Sequence, residues 1–376
     1  MNILMTSDTV GGVWTYTVDL CEALQAHKVT IELATMGAAL SERQRTQLAK
    51  LPNVHLHESE YRLCWMPDSS ADVEAAGRWL MQLAHELKPD LVHLNDLAHG
   101  GLPWPCPVLL VGHSCVLSWW LAVKKEAAPM PEWAEYKTLV TESVRQASLL
   151  VAPTQAMLHS LLYHYGPTER TRVIYNGTDR PALAETAENG EREPFIFAAG
   201  RVWDEAKNID ALTAIAAELP CPIYVAGETT APDGTERSTE SVTFLGQLAP
   251  DELHHWLARA SLYVAPAAYE PFGLAALEAA RAGCPLVLGD IKSLREVWGD
   301  AAVYVDPSDL AALRDKLINL ITRPKRRHYL ATAAWTRAKR YTSAAMAKSY
   351  LQCYQSLLGP KQVKHPVKKV RHSATS

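Results

Sequence analysis

The alternation of short apolar runs with amphipathic stretches is the feature that most restricts the fold of this 376-residue chain. Short apolar runs separated by segments of helical periodicity are typical of βαβ units, which build parallel sheets. The sequence therefore predicts an α/β protein. We predict strands at NILMTSD, TIELAT, NVHLHE, PDLVHLN, PVLLVGH, LLVAP and TRVIYNG in the first half, and at PFIFAAG, CPIYVAG, SVTFLG, SLYVAP, CPLVLGD and AAVYVD in the second.

The length of the chain and one polar stretch indicate two domains. A chain of 376 residues is longer than one hydrophobic core usually organises. The segment RPALAETAENGERE is polar, lacks hydrophobic periodicity and separates the two groups of strands, so we interpret it as a linker. We place the domains at residues 1–180 and 181–341, followed by a helix at 342–358 and a basic, disordered tail at 359–376.

The segment YEPFGLAALEAARAG contains the most specific pattern in the chain. Helix-forming residues follow its proline, so we predict a turn with Gly273 and a helix that starts near Phe272 and includes Leu274. A helix N-terminus that follows a buried strand binds anions through its free N–H groups. Glu270 and Glu278 would add acceptors for sugar and ribose hydroxyls beside a diphosphate. Two glutamates at this spacing are also common on solvated helices. The predicted anion site therefore depends on the whole segment rather than on the glutamate spacing alone.

The segment FAAGRVWDEAKN places two cations at the predicted C-terminal edge of the second sheet. Arg201 follows Gly200 at the end of a strand, and Lys207 lies where the next helix should begin. An arginine offers a fork of donors to a diphosphate, and a lysine adds a point charge. Either cation alone would be expected on an ordinary surface loop, but their spacing in a strand, loop and helix favours an anion site.

Gly11 and Gly12 lie between the first strand and the first helix. Glycines permit close backbone approach, and the N–H groups of a helix start bind phosphate. A simple tight turn is the alternative interpretation. The loop does not match GxGxxG, which argues against a nicotinamide-dependent dehydrogenase.

Composition favours a cytoplasmic protein without a metal site. The N-terminus lacks a secretory signal, no apolar run is long enough to span a membrane, and seven cysteines form no CxxC pair. Nothing in the composition indicates nucleic-acid binding. Residues 324–376 contain twelve Lys and Arg and no Asp or Glu, so weak contact with an anionic membrane is one interpretation and a solvated basic face is the other.

The Glu-x7-Glu pattern with its PFGL turn, the Gly-Arg...Lys segment and the VIYNGTD segment resemble the retaining glycosyltransferases of family 4, which have the GT-B fold. The resemblance implies two Rossmann-like domains that face each other across a cleft, with the acceptor on the first domain and the nucleotide sugar on the second. It also implies that the last helix packs back on the first domain, that His113 contacts the donor sugar, and that Glu228 lies in a donor-binding loop.

We therefore expect a glycosyltransferase that moves a hexose from a nucleoside diphosphate sugar to a carbohydrate or other hydroxyl acceptor, with retention of configuration and no cofactor or metal. Aromatic residues of the first half, including Trp119 and Trp120, would stack on a ring-shaped acceptor or pack in the core. A non-catalytic binding protein and a nucleotide-sugar epimerase remain alternatives. The epimerase would need an acidic base in the cleft of the first domain, where the sequence reveals no candidate.

Overall fold

A computed structural model describes residues 1–130, 132–179, 192–231 and 234–359 of the chain. The first half forms a seven-stranded parallel sheet in the order β3-β2-β1-β4-β5-β6-β7. Its strands are β1 (Asn2–Asp8), β2 (Thr30–Met36), β3 (Val54–Glu58), β4 (Leu91–Leu94), β5 (Val108–Val111), β6 (Leu149–Ala152) and β7 (Thr171–Val173).

Helices cover both faces of the first sheet. Successive residues of a strand point to opposite faces, so Ile3 and Met5 pack with one group of helices and Leu4 with the other. The helices are α1 (Gly12–Gln25), α2 (Glu42–Leu48), α3 (Ser70–Leu87), α4 (Val116–Val123), α5 (Ala134–Gln146) and α6 (Gln155–Tyr165).

The second half repeats this plan with a six-stranded parallel sheet in the order β10-β9-β8-β11-β12-β13. Its strands are β8 (Glu193–Ala199), β9 (Ile223–Ala226), β10 (Thr243–Phe244), β11 (Ala260–Ala265), β12 (Leu286–Gly289) and β13 (Val303–Val305). Its helices are α7 (Ile209–Ile215), α8 (Pro250–Arg259), α9 (Leu274–Arg281), α10 (Lys292–Trp298), α11 (Leu310–Ile321) and α12 (Pro324–Ala338).

Each predicted apolar run contains a strand, and the α/β fold with two facing Rossmann-like domains is confirmed. The predicted start of one helix is corrected. Helix α9 begins at Leu274 rather than near Phe272, because Gly273 has φ of +92° and acts as its N-cap. Phe272 precedes the helix and packs into the core of the second domain.

The last helix, α13 (Ser343–Leu358), packs on the first domain. Tyr350 and Tyr354 are fully buried against α1 and the first sheet, and burial of each aromatic side chain stabilises the fold by roughly 1.5–3 kcal/mol. The chain leaves the first domain near Thr178 and returns to it near Tyr341. These two crossings are adjacent, since the Thr178 N–H donates to the Tyr341 carbonyl at 3.2 Å.

Most of the predicted linker and nearly all of the predicted tail fall at residues 180–191 and 360–376, outside the described residues. Among the described helices, none has the length and hydropathy needed to cross a bilayer.

Candidate active site

A cleft of about 690 Å³ lies between the two domains. In the first sheet, β1 has β2 on one side and β4 on the other, and in the second sheet β8 has β9 and β11. Parallel sheets bind ligands outside the carboxyl ends of their strands at such switch points. Residues that follow β1, β4, β5, β8 and β11 line the cleft, so the switch points of the two sheets face each other.

The second domain contributes two cations, each paired with a carboxylate. The Lys207 ammonium donates to Glu270 Oε2 at 2.6 Å, and Arg201 Nη2 donates to Asp204 Oδ2 at 2.6 Å. Burial opposes ionisation of Asp204, but the charges of Arg201 and Lys207 hold its pKa below the ordinary value. Arg201 Nε is buried and has no hydrogen-bond partner.

The glycine loop of the first domain lies against Arg201. Gly11 has φ of +90°, and a Cβ atom built on it would lie 2.9 Å from Arg201 Nη1. Gly12 is the first residue of α1, and its Cβ position is 4.0 Å from the Leu274 side chain of the second domain. The starts of α1 and α9 therefore approach each other in the cleft, and the unpaired N–H groups of both helix ends create a positive field there.

His113 follows β5 and belongs to a hydrogen-bonded group in the first-domain wall of the cleft. Asn95 Nδ2 donates to the Thr6 carbonyl at 2.8 Å, which makes Asn95 Oδ1 an acceptor. His113 Nε2 lies 2.9 Å from this oxygen and therefore carries the proton. Burial lowers the pKa of His113 to about 3, so the ring is neutral near pH 7. Its Nδ1 atom is consequently an acceptor, which suits a sugar hydroxyl.

The cleft brings together most of the residues that the sequence analysis selected. Two of them, Glu228 and Glu278, lie outside its lining. Glu278 is 9% exposed on α9, and its charge, like that of Glu270, adds to burial in raising the pKa of Tyr263. The selected residues that line the cleft are Gly11, Gly12, His113, Gly200, Arg201, Lys207, Glu270, Phe272, Gly273 and Leu274.

Acidic residues of the first domain also line the cleft, contrary to the sequence analysis, which found no candidate there. Asp8 ends β1, and Asp96 follows β4. Burial, which outweighs the nearby Arg201 charge, raises the pKa of Asp8 to about 7. The position of each acid at or just beyond the end of a predicted strand could have identified it, since that is where parallel sheets place ligand-binding side chains.

Asp96 forms a buried ion pair with His99. His99 Nδ1 lies 2.7 Å from Asp96 Oδ1, and Nε2 lies 3.1 Å from the Val73 carbonyl, so both ring nitrogens face acceptors and both carry protons. Burial opposes both charges, yet each partner stabilises the other, so the pKa of Asp96 is lowered and that of His99 is raised. The charge of Asp96 also helps to raise the pKa of Asp8.

Tryptophan side chains form much of the first-domain wall. Trp65, Trp119, Trp120 and Trp133 line the cleft. The Trp119 indole N–H donates to Asp204 Oδ1 at 3.3 Å and so connects the two domains across it. The described residues contain no group of three or more His, Cys, Asp or Glu side chains arranged to hold a metal ion.

Two Rossmann-like domains whose switch points meet at a cleft lined by glycines and cations define the GT-B class of proteins. Known families match both halves of the chain: Glycosyltransferase Family 4 over residues 10–180, and Glycosyl transferases group 1 over residues 193–323. The chain belongs to glycosyltransferase family 4.

Individual relatives match parts of the chain. Glycogen synthase of Mycobacterium tuberculosis (strain CDC 1551 / Oshkosh) is 29% identical over 274 residues, which cover 66% of this chain and 64% of that protein. Phosphatidyl-myo-inositol mannosyltransferase of Propionibacterium freudenreichii is 34% identical over 148 residues, or 37% of each chain. The match thus spans less than two thirds of the length of either relative.

Solved structures share the fold over nearly the whole chain. Sucrose-phosphate synthase from Thermosynechococcus elongatus has a TM-score of 0.79 at 19% identity and covers 95% of this chain and 99% of its own. Anabaena HepE in complex with UDP-glucose has a TM-score of 0.72 at 19% identity and covers 95% of this chain and all of its own. At this identity, the likeness establishes the fold.

Proposed function

We propose that this protein transfers a hexose from a nucleoside diphosphate sugar to a hydroxyl of a carbohydrate or other acceptor, with retention of anomeric configuration and without a metal ion. The observation that carries the proposal is the group of Arg201, Lys207 and Glu270 beside the glycine loop in a cleft between two domains. Family membership supports the same reaction class.

The diphosphate would bind to Arg201, Lys207 and the start of α9. Arg201 lines the cleft, and Lys207 can exchange its contact with Glu270 for a phosphate oxygen. These charges and the helix N-terminus would stabilise the leaving diphosphate, the task that a divalent cation performs in other transferases. The presence of UDP-glucose in the structure of Anabaena HepE supports a donor of this kind.

The sugar would lie between Glu270 and His113. Glu270 would accept hydrogen bonds from its hydroxyls, and the unprotonated Nδ1 of His113 would accept another near the anomeric carbon. We assign Glu278 to the ribose hydroxyls and Glu228 to the surrounding donor loop.

The acceptor would enter from the first-domain wall, where indole faces suit the C–H face of a sugar ring. In the transfer, the bond from the anomeric carbon to the phosphate oxygen breaks and the bond to the acceptor oxygen forms on the same face. The proton of the acceptor hydroxyl passes to the leaving phosphate.

The test is hydrolysis of UDP-, GDP- and ADP-sugars by the purified protein without acceptor, followed as release of nucleoside diphosphate. We expect slow release from one donor, reduced on the order of 10² to 10³ in Arg201→Ala and Glu270→Ala. Arg314→Ala is the matched control, because Arg314 pairs with Glu218 on the surface at 2.8 Å. Absence of release from every donor, together with no thermal shift from any nucleotide, would refute the proposal.

Asp8 and Asp96 favour one second candidate, a nucleotide-sugar epimerase, because they supply acidic groups in the cleft of the first domain. An epimerase would convert the donor into a diastereomer without net release of nucleoside diphosphate. Proton NMR of the same donor panel distinguishes the two activities, and we expect no diastereomer.

A further inference from the structure

One carboxylate of the second domain completes the N-terminus of a first-domain helix. Glu296 lies on α10, and its Oε1 accepts the Gln155 N–H at 2.7 Å while its Oε2 accepts the Ala156 N–H at 2.9 Å. Glu296 Oε1 also accepts the Tyr175 hydroxyl at 3.0 Å. A side chain from one domain therefore makes three hydrogen bonds to the other.

These contacts supply the hydrogen-bond acceptors that the first N–H groups of a helix normally find in solvent or in the capping residue. The first N–H groups of a helix have no partner within it, and they carry partial positive charge. The Thr154 hydroxyl accepts the Met157 N–H and caps α6 from within its own chain segment. Glu296 takes the N–H groups of the first two residues, so negative charge from α10 faces the positive end of α6.

The other groups around Glu296 fit this arrangement. Burial and the Glu296 carboxylate raise the pKa of Tyr175 to about 12, so its hydroxyl remains a donor at neutral pH. Arg337 of α12 donates to the backbone carbonyl of Glu296 at 2.9 Å and helps to fix the end of α10.

The same two helices hold the loop that contains Glu270. The Ser293 hydroxyl of α10 donates to the Glu270 carbonyl at 2.5 Å. The Thr154 hydroxyl donates to the Pro271 carbonyl at 2.9 Å, from the first domain to the second. The start of α6, the loop at Glu270 and helix α10 thus form one bonded unit at the edge of the cleft, with Glu296 at its outer side.

We propose that Glu296 is a positioning residue that holds the two domains closed, so that Glu270 and Lys207 of the second domain face His113 of the first. Glu296 does not line the cleft and acts through α6 and the loop at Glu270. Its effect on domain closure goes beyond the proposed reaction and is independent of it, whereas its effect on turnover rests on that reaction.

The experiment measures closure directly by small-angle X-ray scattering of the full chain, with and without UDP. We expect Glu296→Ala to have a larger radius of gyration than the native protein, and Glu296→Gln to be intermediate, because one amide oxygen still accepts. Glu218→Ala, which removes a surface carboxylate from the same domain, is the matched control and should scatter like the native protein.

Kinetics on the donor identified by hydrolysis supply the second measurement. Misalignment of groups held on two domains should lower kcat about tenfold or more in Glu296→Ala. The Kd of the nucleoside diphosphate should change less than about twofold, because the contacts proposed for it lie on the second domain. Tyr175→Phe removes one of the three hydrogen bonds and should shift scattering and kcat in the same direction to a smaller extent.

Unchanged scattering in Glu296→Ala and in Tyr175→Phe would overturn the proposal, whether or not kcat changes. If Glu296→Ala fails to fold, as judged by circular dichroism, Tyr175→Phe alone decides between the two results. Opening of the variants in a protein that turns over no donor would support the proposal while refuting the proposed function. Turnover in the native protein without any opening in the variants would support the proposed function and refute the role of Glu296 in domain closure.

Discussion

Gly11 and Gly12 are adjacent, but the structure predicts opposite consequences for their replacement by alanine. A Cβ on Gly11 would lie 2.9 Å from Arg201 Nη1, closer than real Cβ contacts come, and the residue has φ of +90°. A Cβ on Gly12 would lie 4.0 Å from Leu274, which is ordinary van der Waals contact. The pair therefore separates the effect of the Arg201 position from the general effect of a methyl group in this loop.

The backbone strain and the displaced guanidinium set the magnitude. A side chain in an unfavourable backbone region costs about 1–3 kcal/mol, so the free energy of unfolding of Gly11→Ala should fall by this amount. The guanidinium is the end of a flexible side chain and will move away, which weakens its contact with the diphosphate. Full loss of such a contact costs on the order of 10² to 10³ in rate, which is the upper limit for this variant. Gly12→Ala should remain within about 0.5 kcal/mol of the native protein.

Three measurements test this reasoning: urea unfolding, calorimetric Kd for the nucleoside diphosphate, and kcat/KM for the donor. The decisive comparison repeats Gly11→Ala in an Arg201→Ala background. If Gly11→Ala acts through Arg201, it should weaken nucleotide binding in the native background and have little further effect in the variant background. The argument would be refuted if Gly11→Ala weakened nucleotide binding equally in both backgrounds. It would also be refuted if Gly12→Ala weakened nucleotide binding as much as Gly11→Ala.

Three further predictions follow from contacts in and near the cleft. Glu270→Gln leaves Lys207 without its carboxylate partner at 2.6 Å and should lower kcat/KM for donor hydrolysis on the order of 10² or more; a change below about twofold would contradict the assigned role. Burial raises the pKa of Asp8 to about 7, so the folded protein binds a proton more tightly than the unfolded chain between about pH 4 and 7. The free energy of unfolding should therefore fall as pH rises through that window. Urea unfolding at pH 5 and pH 7 should show this decrease in the native protein and a smaller one in Asp8→Asn. Gly227→Ala would place its Cβ 1.8 Å from the backbone oxygen of Gly200, which cannot move aside as a flexible side chain can. A urea titration of this variant should show a free energy of unfolding lower by more than about 3 kcal/mol.

The fold and the second-domain side of the cleft were predictable because both depend on local patterns. Apolar runs and helical periodicity locate the strands, and a parallel sheet places the loops after its strands at one edge. Arg201, Lys207 and Glu270 could be selected because each follows a predicted strand within a recognisable segment. The start of α9 was missed by two residues, because Gly273 has a positive φ and forms the N-cap, which helix-forming composition does not predict.

Most of the residues that the sequence did not reveal act through neighbours in other elements of the fold. Asp96 gains its significance from His99 and from Asp8, which enters the cleft from another strand. Glu296 reaches the start of α6, 141 positions earlier in the chain, and no local pattern distinguishes it from a solvated glutamate.

The last helix has a consequence for how proteins of this kind can diversify. Tyr350 and Tyr354 fill the core of the first domain although they lie at the far end of the chain. A single recombination event that joined the first domain of one relative to the second domain of another would therefore bring a foreign helix into the core of the first domain. The second domain can be exchanged without that mismatch only by two crossovers, one between the domains and one just before Thr342, which leave the final helix with the domain it supports.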